Sequence, residues 1–253
     1  MIFDTHSHIN TKQFSQDLVD VIKRAKDSGV GYILIPGMDD EHNITGIKLA
    51  EQYNELYTSI GIHPVDVDKA SLEKLEPLLK VSKKIVAIGE IGIDLYWRKD
   101  NLPKQLSIFI KQVELAIKYD LPILVHTRES FDQVYQALLP YKGKIKGVFH
   151  CFSSTLENAY QAVELGFYLG ISGVVTFPNA KELQTIVKSI PLEKLVVETD
   201  APYLTPQPFR GKRNEPSYVN YVVEKIAELK NVSVLTVVNQ TTNTALKLFK
   251  IGG

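Results

Sequence analysis

Ile85-Val86-Ala87-Ile88-Gly89-Glu90-Ile91-Gly92-Ile93 is a short apolar run rich in β-branched residues, and it reads as a strand. Beyond it, residues 103–119 carry Leu106, Ile110, Val113 and Ile117 at helical spacing, a stripe that faces a core. The same strand-then-helix unit recurs on both sides. Upstream, the strands 2–9, 32–36 and 56–63 precede helices near 15–28, 41–53 and 71–81. Downstream, 123–127, 146–152, 167–172 and 195–199 precede 131–139, 156–165, 181–189 and 217–229. Strands that alternate with helices form a parallel sheet, and eight such units imply closure. The expected fold is therefore α/β, a single-domain (β/α)8 TIM barrel over residues 1–253 with an extra C-terminal helix at 233–249. An open doubly wound sheet is the alternative.

Composition narrows the function. Lys plus Arg and Asp plus Glu both total 29, so no global basic field is available to grip a polyanion. Such a ligand would need a local patch or bound cations. The single cysteine, Cys151, excludes an intramolecular disulfide, which fits a reducing compartment. The first residues lack the pattern of a signal peptide and no apolar run is long enough to span a membrane, so a soluble, cytoplasmic protein is expected. A neutral surface gives no sign of a protein partner, and a monomer is the default.

The histidines are not scattered. His6, His8, His63, His126 and His150 lie on expected strands or at their C-terminal ends, and only His42 starts a helix. In a barrel of this kind chemistry sits at those ends. His6 and His8 are one pleat apart and would point to one side. Glu90 stands within an apolar strand, where an ionised carboxylate is costly unless paired with an arginine such as Arg128 or bound to metal. Asp200 follows strand eight. Taken singly, each histidine reads as a satisfied core residue. Together, four imidazoles and two carboxylates on one rim suit Zn, Mn, Fe or Co, or Mg with enough water ligands, and two ions could share Glu90.

Several segments carry a family resemblance: Asp4-Thr5-His6-Ser7-His8, Gly61-Ile62-His63-Pro64, Gly89-Glu90-Ile91-Gly92-Ile93-Asp94, Pro122-Ile123-Leu124-Val125-His126-Thr127-Arg128, His150-Cys151-Phe152-Ser153, Glu198-Thr199-Asp200-Ala201-Pro202-Tyr203-Leu204 and Arg210-Gly211-Lys212-Arg213-Asn214-Glu215-Pro216. In this order and over essentially the whole chain, they resemble the TatD family of metal-dependent deoxyribonucleases, within the amidohydrolase superfamily. Ser7 and Asn10 depart from the Cys and Asp often found there. The resemblance implies two divalent cations, one held by His6, His8, Glu90 and Asp200, the other by Glu90, His126 and His150. It further implies a nuclease trimming single-stranded DNA from an end, as a 3'-5' exonuclease does.

On that reading Asp200 orients and deprotonates water, and Glu90 serves both ions. His63 and Arg128 are expected to contact a substrate phosphate, although His63 would equally suit a turn of its own. Arg210 and Lys212 form the most basic short segment, either a phosphate contact or a solvated loop. Asp4 and Glu198 are expected to accept hydrogen bonds from the ligating imidazoles or to bond elsewhere in the barrel. Cys151 is expected to face away from the site and to pack. Tyr96, Trp97, Phe152, Tyr203 and Phe209 lie in or near rim loops and could stack on a base. Two other functions fit the same residues: an ester or amide hydrolase such as a D-aminoacyl-tRNA deacylase, and a non-catalytic nucleic-acid-binding protein that keeps a metal site for stability.

Overall fold

Eight parallel strands follow one another around the sheet in chain order: β1 Ile2–Asp4, β2 Val30–Ile35, β3 Leu56–Ile60, β4 Ile85–Asp94, β5 Ile123–Arg128, β6 Gly147–Phe149, β7 Tyr168–Ile171 and β8 Leu195–Val197. The structure is a computed structural model that describes residues 1–252, so Gly253, the last residue of the expected unit, lies outside the described residues. Backbone bonds tie the seam between β8 and β1. Thr5 N–H donates to Val197 at 3.0 Å, Asp200 N–H to His6 at 2.9 Å and His8 N–H to Ala201 at 2.7 Å. The sheet is thus a barrel and not an open, doubly wound one. Around it run α1 Leu18–Asp27, α2 Asp40–Gln52, α3 Leu75–Leu78, α4 Leu102–Lys118, α5 Phe131–Leu138, α6 Leu156–Glu164, α7 Lys181–Ser189 and α8 Val219–Lys230. Among the described residues no helix is long and apolar enough to cross a membrane.

Several elements are shorter than the sequence pattern predicts, the first strand and the third helix among them. The first strand stops at Asp4, because the backbone of Ser7 and His8 turns aside to bond across to Ala201. The third helix reduces to a single α turn after a 3-10 turn at Leu72–Lys74. Pro77 lies inside it and has no N–H to continue the ladder.

The extra helix, α9 Val234–Leu248, has a specific job. Its Ala245 and Leu248, with the following Phe249, pack into one buried cluster with Phe3, Leu34, Val86, Leu124, Val148 and Val196. Side chains alternate along a strand, so Leu124 and His126 share a face, as do Val148 and His150, and Val196 and Glu198. The apolar cluster is therefore the floor on which the polar residues stand, and α9 stoppers the barrel beneath it. Gly92 sets the spacing of β4 against β5. Its φ is +147°, and a Cβ there would lie 2.0 Å from the carbonyl oxygen of His126.

The long rim loop, residues 201–216, is fastened to α1 by charge. Arg24 bonds Glu215 at 2.7 Å, and Arg213 reaches Asp17 at 2.7 and 2.8 Å. Asn214 donates to the carbonyls of Thr199 and Tyr203. Arg213, with help from Arg24 and against a small burial cost, pulls the Asp17 carboxyl down from 3.8 to about 2. A carboxyl lowered by folding stabilises above its unfolded value and loses that contribution as pH falls through its folded one. Asp17→Asn should therefore lower Tm at neutral pH, and the deficit should narrow as pH falls from 3.8 toward about 2. A deficit that stays constant across that range in thermal unfolding would show that the charge pairing contributes nothing.

Candidate metal centre

Glu90 is at the middle of the site. It is 2% exposed, on a strand buried along its whole length, and its two oxygens face two different groups. Oε2 lies 3.2 Å from His6 Nε2 and 3.5 Å from His8 Nε2. Asp200 Oδ1 completes that side, 3.8 Å from His6 and 3.4 Å from His8. Oε1 faces His126 Nδ1 at 2.8 Å, His150 Nε2 at 3.2 Å and His63 Nε2 at 3.4 Å. Among the described residues no lysine or arginine pairs with Glu90 or Asp200. Arg128, the ion-pair partner the sequence allowed for Glu90, stacks on Tyr96 instead, 4.0 Å from the ring centroid. The six residues expected to meet do meet, although β1, β6 and β8 end before His6, His8, His150 and Asp200.

A neighbouring carboxylate chooses which nitrogen the His126 ring offers. Asp94 Oδ2 lies 3.0 Å from His126 Nε2 and holds a proton there, so that Nδ1, 2.8 Å from Glu90 Oε1, is the nitrogen that would offer its lone pair to a cation in place of its hydrogen bond to Glu90. Glu198 Oε1 lies 3.2 Å from His150 Nδ1, a charge contact without hydrogen-bond geometry. The other expected donor partner, Asp4, is used differently. It accepts from the Thr199 amide at 2.9 Å and its hydroxyl at 2.6 Å, holding the start of the strand-eight loop against β1. Asp94 is a site residue that sequence reasoning missed. Its signal was present: it stands four residues after Glu90, on the same face of the strand.

His63 makes the expected contact in its own turn and also reaches the cluster. Its Nδ1 accepts the amide of Val65 in its own turn at 3.3 Å. Nε2 of the neutral ring is then protonated and enters the cluster as a donor, not as a lone pair for a cation.

Burial alone would push Glu90 up. The charges of His150, His63 and His6 and the hydrogen bond from His126 outweigh it and hold the carboxyl well below its usual range. Burial drives His6 and His63 down. Burial also opposes charge on His150, but Glu90 and Glu198 overcome it and keep that ring protonated well above the usual histidine range. The donor set fits divalent cations. On the Oε2 side the His6 and His8 Nε2 atoms lie 3.2 Å from each other and 3.2 to 3.8 Å from Glu90 Oε2 and Asp200 Oδ1. Ligand atoms about 2.0–2.1 Å from a tetrahedral ion are themselves about 3.3 Å apart. The Nδ1 atoms of His6 and His8, like that of His150, make no hydrogen bond among the described residues.

A cavity of about 640 Å³ opens above this centre, with Met38, Val65, Trp97, Phe152, Val174, Tyr203 and Leu204 in its walls. His63 and Arg128 line it. Arg210 and Lys212 do not: they lie along the rim loop over the rings of Phe177 and Phe209. Of the expected aromatics, Phe209 stacks on Tyr218 outside the cavity. Cys151 faces the cavity rather than away from it, because its φ of +48° ends the strand alternation after β6. Its thiol donates to Ser172 at 3.0 Å, and burial with the Asp200 and Glu198 charges pushes it well up, so it is no nucleophile.

Residues 3–250 match the family model described as TatD related DNase. The chain is 42% identical to an uncharacterized metal-dependent hydrolase, YabD, of Bacillus subtilis, covering 99% of this chain and all of that one. It is 33% identical to the Escherichia coli protein YjjV, covering 98% and 97%. The crystal structure of YjjV, a TatD homolog, superposes with a TM-score of 0.92 over 99% of this chain and 98% of that one, at 31% identity. A TatD-family hydrolase from Entamoeba histolytica gives 0.87 over 98% of each, at 27% identity.

Cations that replace the His150 proton must bind more tightly as pH rises. Mn or Zn at 100 times its Kd should stabilise the fold by about 3 kcal/mol, release protons on binding, and bind more weakly at pH 6 than at pH 8. Glu90→Gln should lose most of this gain. Calorimetry and thermal unfolding read both effects, and a Tm indifferent to either cation would contradict the site.

Proposed function

The chain belongs to the TatD-related DNase family and is a metal-dependent hydrolase; we propose that the bond it cleaves is a phosphodiester of DNA. The reading is carried by Glu90, whose two oxygens face separate donor groups. That arrangement suits two cations sharing one carboxylate, as in-line phosphodiester cleavage uses. We assign His6, His8, Glu90 and Asp200 to one cation, and Glu90, His126 and His150 to the other. When bound, divalent cations supply Lewis acidity, which acidifies water and draws off charge from a phosphoryl oxygen.

The protein's own groups do the rest. Asp200 is more open to the cavity than Glu90, with 13% of its side chain exposed against 3%, and it accepts the proton of the attacking water. Burial raises its carboxyl, yet the hydrogen bond from His8 and the charge on His150 bring it below the usual range, so it is ionised and ready to accept. Asp94 keeps His126 in one tautomer and orientation, and the Glu198 charge stands beside His150. His63 Nε2–H and the Arg128 guanidinium, both on the cavity wall, hold the substrate phosphate.

A comparison of substrates tests the proposal. Wild-type protein with Mg, Mn or Zn should release nucleotides from labelled single-stranded DNA, and Asp200→Asn should lose about 100-fold or more in kcat. Metal-stripped protein should be inactive until a divalent cation is restored. His63→Ala should raise KM. Release of amino acid from D-aminoacyl-tRNA, with DNA left intact, would replace the nuclease with an ester hydrolase. Turnover of neither substrate would leave a binding protein.

A further inference from the structure

One wall of the cavity serves neither the fold nor the donor cluster. Tyr96 and Trp97 sit in the loop between β4 and α4 and are 49% and 64% exposed. Trp97, the chain's only tryptophan, lines the cavity together with Arg128 and His63. The rings of Tyr96 and Trp97 meet edge to face, with centroids 4.8 Å apart. The Arg128 guanidinium lies over both, 4.0 Å from the Tyr96 centroid and 5.5 Å from that of Trp97. Its sequence neighbour Glu129 is paired with Lys99, which leaves the Arg128 charge available to a ligand.

The loop that carries the two rings is fastened to the centre. Asp94 Oδ1 accepts the amides of Tyr96 at 2.9 Å and Trp97 at 2.7 Å, while Oδ2 of the same carboxylate meets His126. Gln105 of α4 holds the turn from the other side, accepting the Asp94 amide at 2.8 Å and donating to the Arg98 carbonyl at 2.8 Å. One buried carboxylate therefore fixes both the aromatic loop and a ring of the donor cluster. An exposed indole backed by a second ring and a delocalised cation, with its backbone already ordered, binds a flat π-face at little entropic cost.

We infer that Trp97, backed by Tyr96 and Arg128, is a stacking platform for one unpaired nucleobase beside the scissile phosphodiester, and that Asp94 sets its distance from the reacting centre. This rests on the phosphodiester reading and narrows it to single-stranded or frayed ends. A paired base already has both faces covered by its neighbours and must leave the stack to reach Trp97. Arg128 serves twice, stacking on the rings and meeting the backbone phosphate that follows the base.

The lone tryptophan makes the platform visible. Metal-loaded Asp200→Asn protein is titrated with a thymidylate hexamer and with an abasic deoxyribose-phosphate chain of the same length, binding being followed independently by anisotropy of end-labelled probe. The hexamer should quench Trp97 fluorescence saturably, and the abasic chain should bind without quenching it. In the otherwise wild-type enzyme, Trp97→Ala should raise KM for the hexamer roughly 5- to 150-fold. It should leave kcat near its original value and leave hydrolysis of the abasic chain unchanged, and Trp97→Phe should recover most of the loss. Binding of the hexamer without quenching would overturn the platform while leaving the nuclease reading intact. So would equal losses by Trp97→Ala on both substrates, the mark of a merely structural residue. Failure of the wild type to bind or cleave either chain would overturn both.

Discussion

An ionised carboxylate in the middle of an apolar strand is the constraint on which this structure turns. Removing a lone carboxylate from water costs several kcal/mol even after relaxation. Glu90 is almost wholly buried, and the protein brings no lysine or arginine to it. Five imidazoles surround it instead. Neutral imidazoles offset that cost only weakly, and several protonated ones so close together would repel each other. The arrangement is best satisfied when cations take the place of those protons. Asp94 already prepares for this by holding a proton on His126 Nε2, which leaves Nδ1 as the nitrogen to exchange its proton for a cation.

The barrel supplies what that centre needs below and above. Below, α9 and the inward-facing apolar residues form a dry floor, so the polar residues cannot relax downward into water. Above, the rim loops that shape the cavity are tied at their backbones. Asp94 and Gln105 hold the loop after β4, and Arg24, Arg213 and Asn214 hold the loop after β8. A hydrolytic site has to position its groups closely, and here the positioning comes from buried side chains bonding to loop amides and carbonyls.

Much of this was legible in the sequence. Alternating β-branched runs and amphipathic stretches gave the eight units, because each strand and helix has to bury a face with its own period. His6, His8, Glu90, His126, His150 and Asp200 stood out because polar residues recurred where apolar strands end. Other features were not legible, since they arise where local patterns stop. The length of β1 and the orientation of Cys151 escaped alternation because the backbone leaves strand geometry after Asp4 and Phe149. The dual contacts of Asp94 and His63 depend on which atom meets which neighbour, and residue spacing cannot encode that. Arg210 and Lys212 form the most basic short segment, yet they lie outside the cavity over Phe177 and Phe209, in the part of the loop that the ion pairs of Arg24 with Glu215 and Arg213 with Asp17 tie to α1.

Anomalous X-ray diffraction from crystals soaked in manganese addresses the central claim most directly. Two peaks, one on each side of the Glu90 carboxylate, with His6, His8 and Asp200 around the first and His126 and His150 around the second, are the predicted result. Density at neither position, in crystals whose other surfaces do take up manganese, would contradict it.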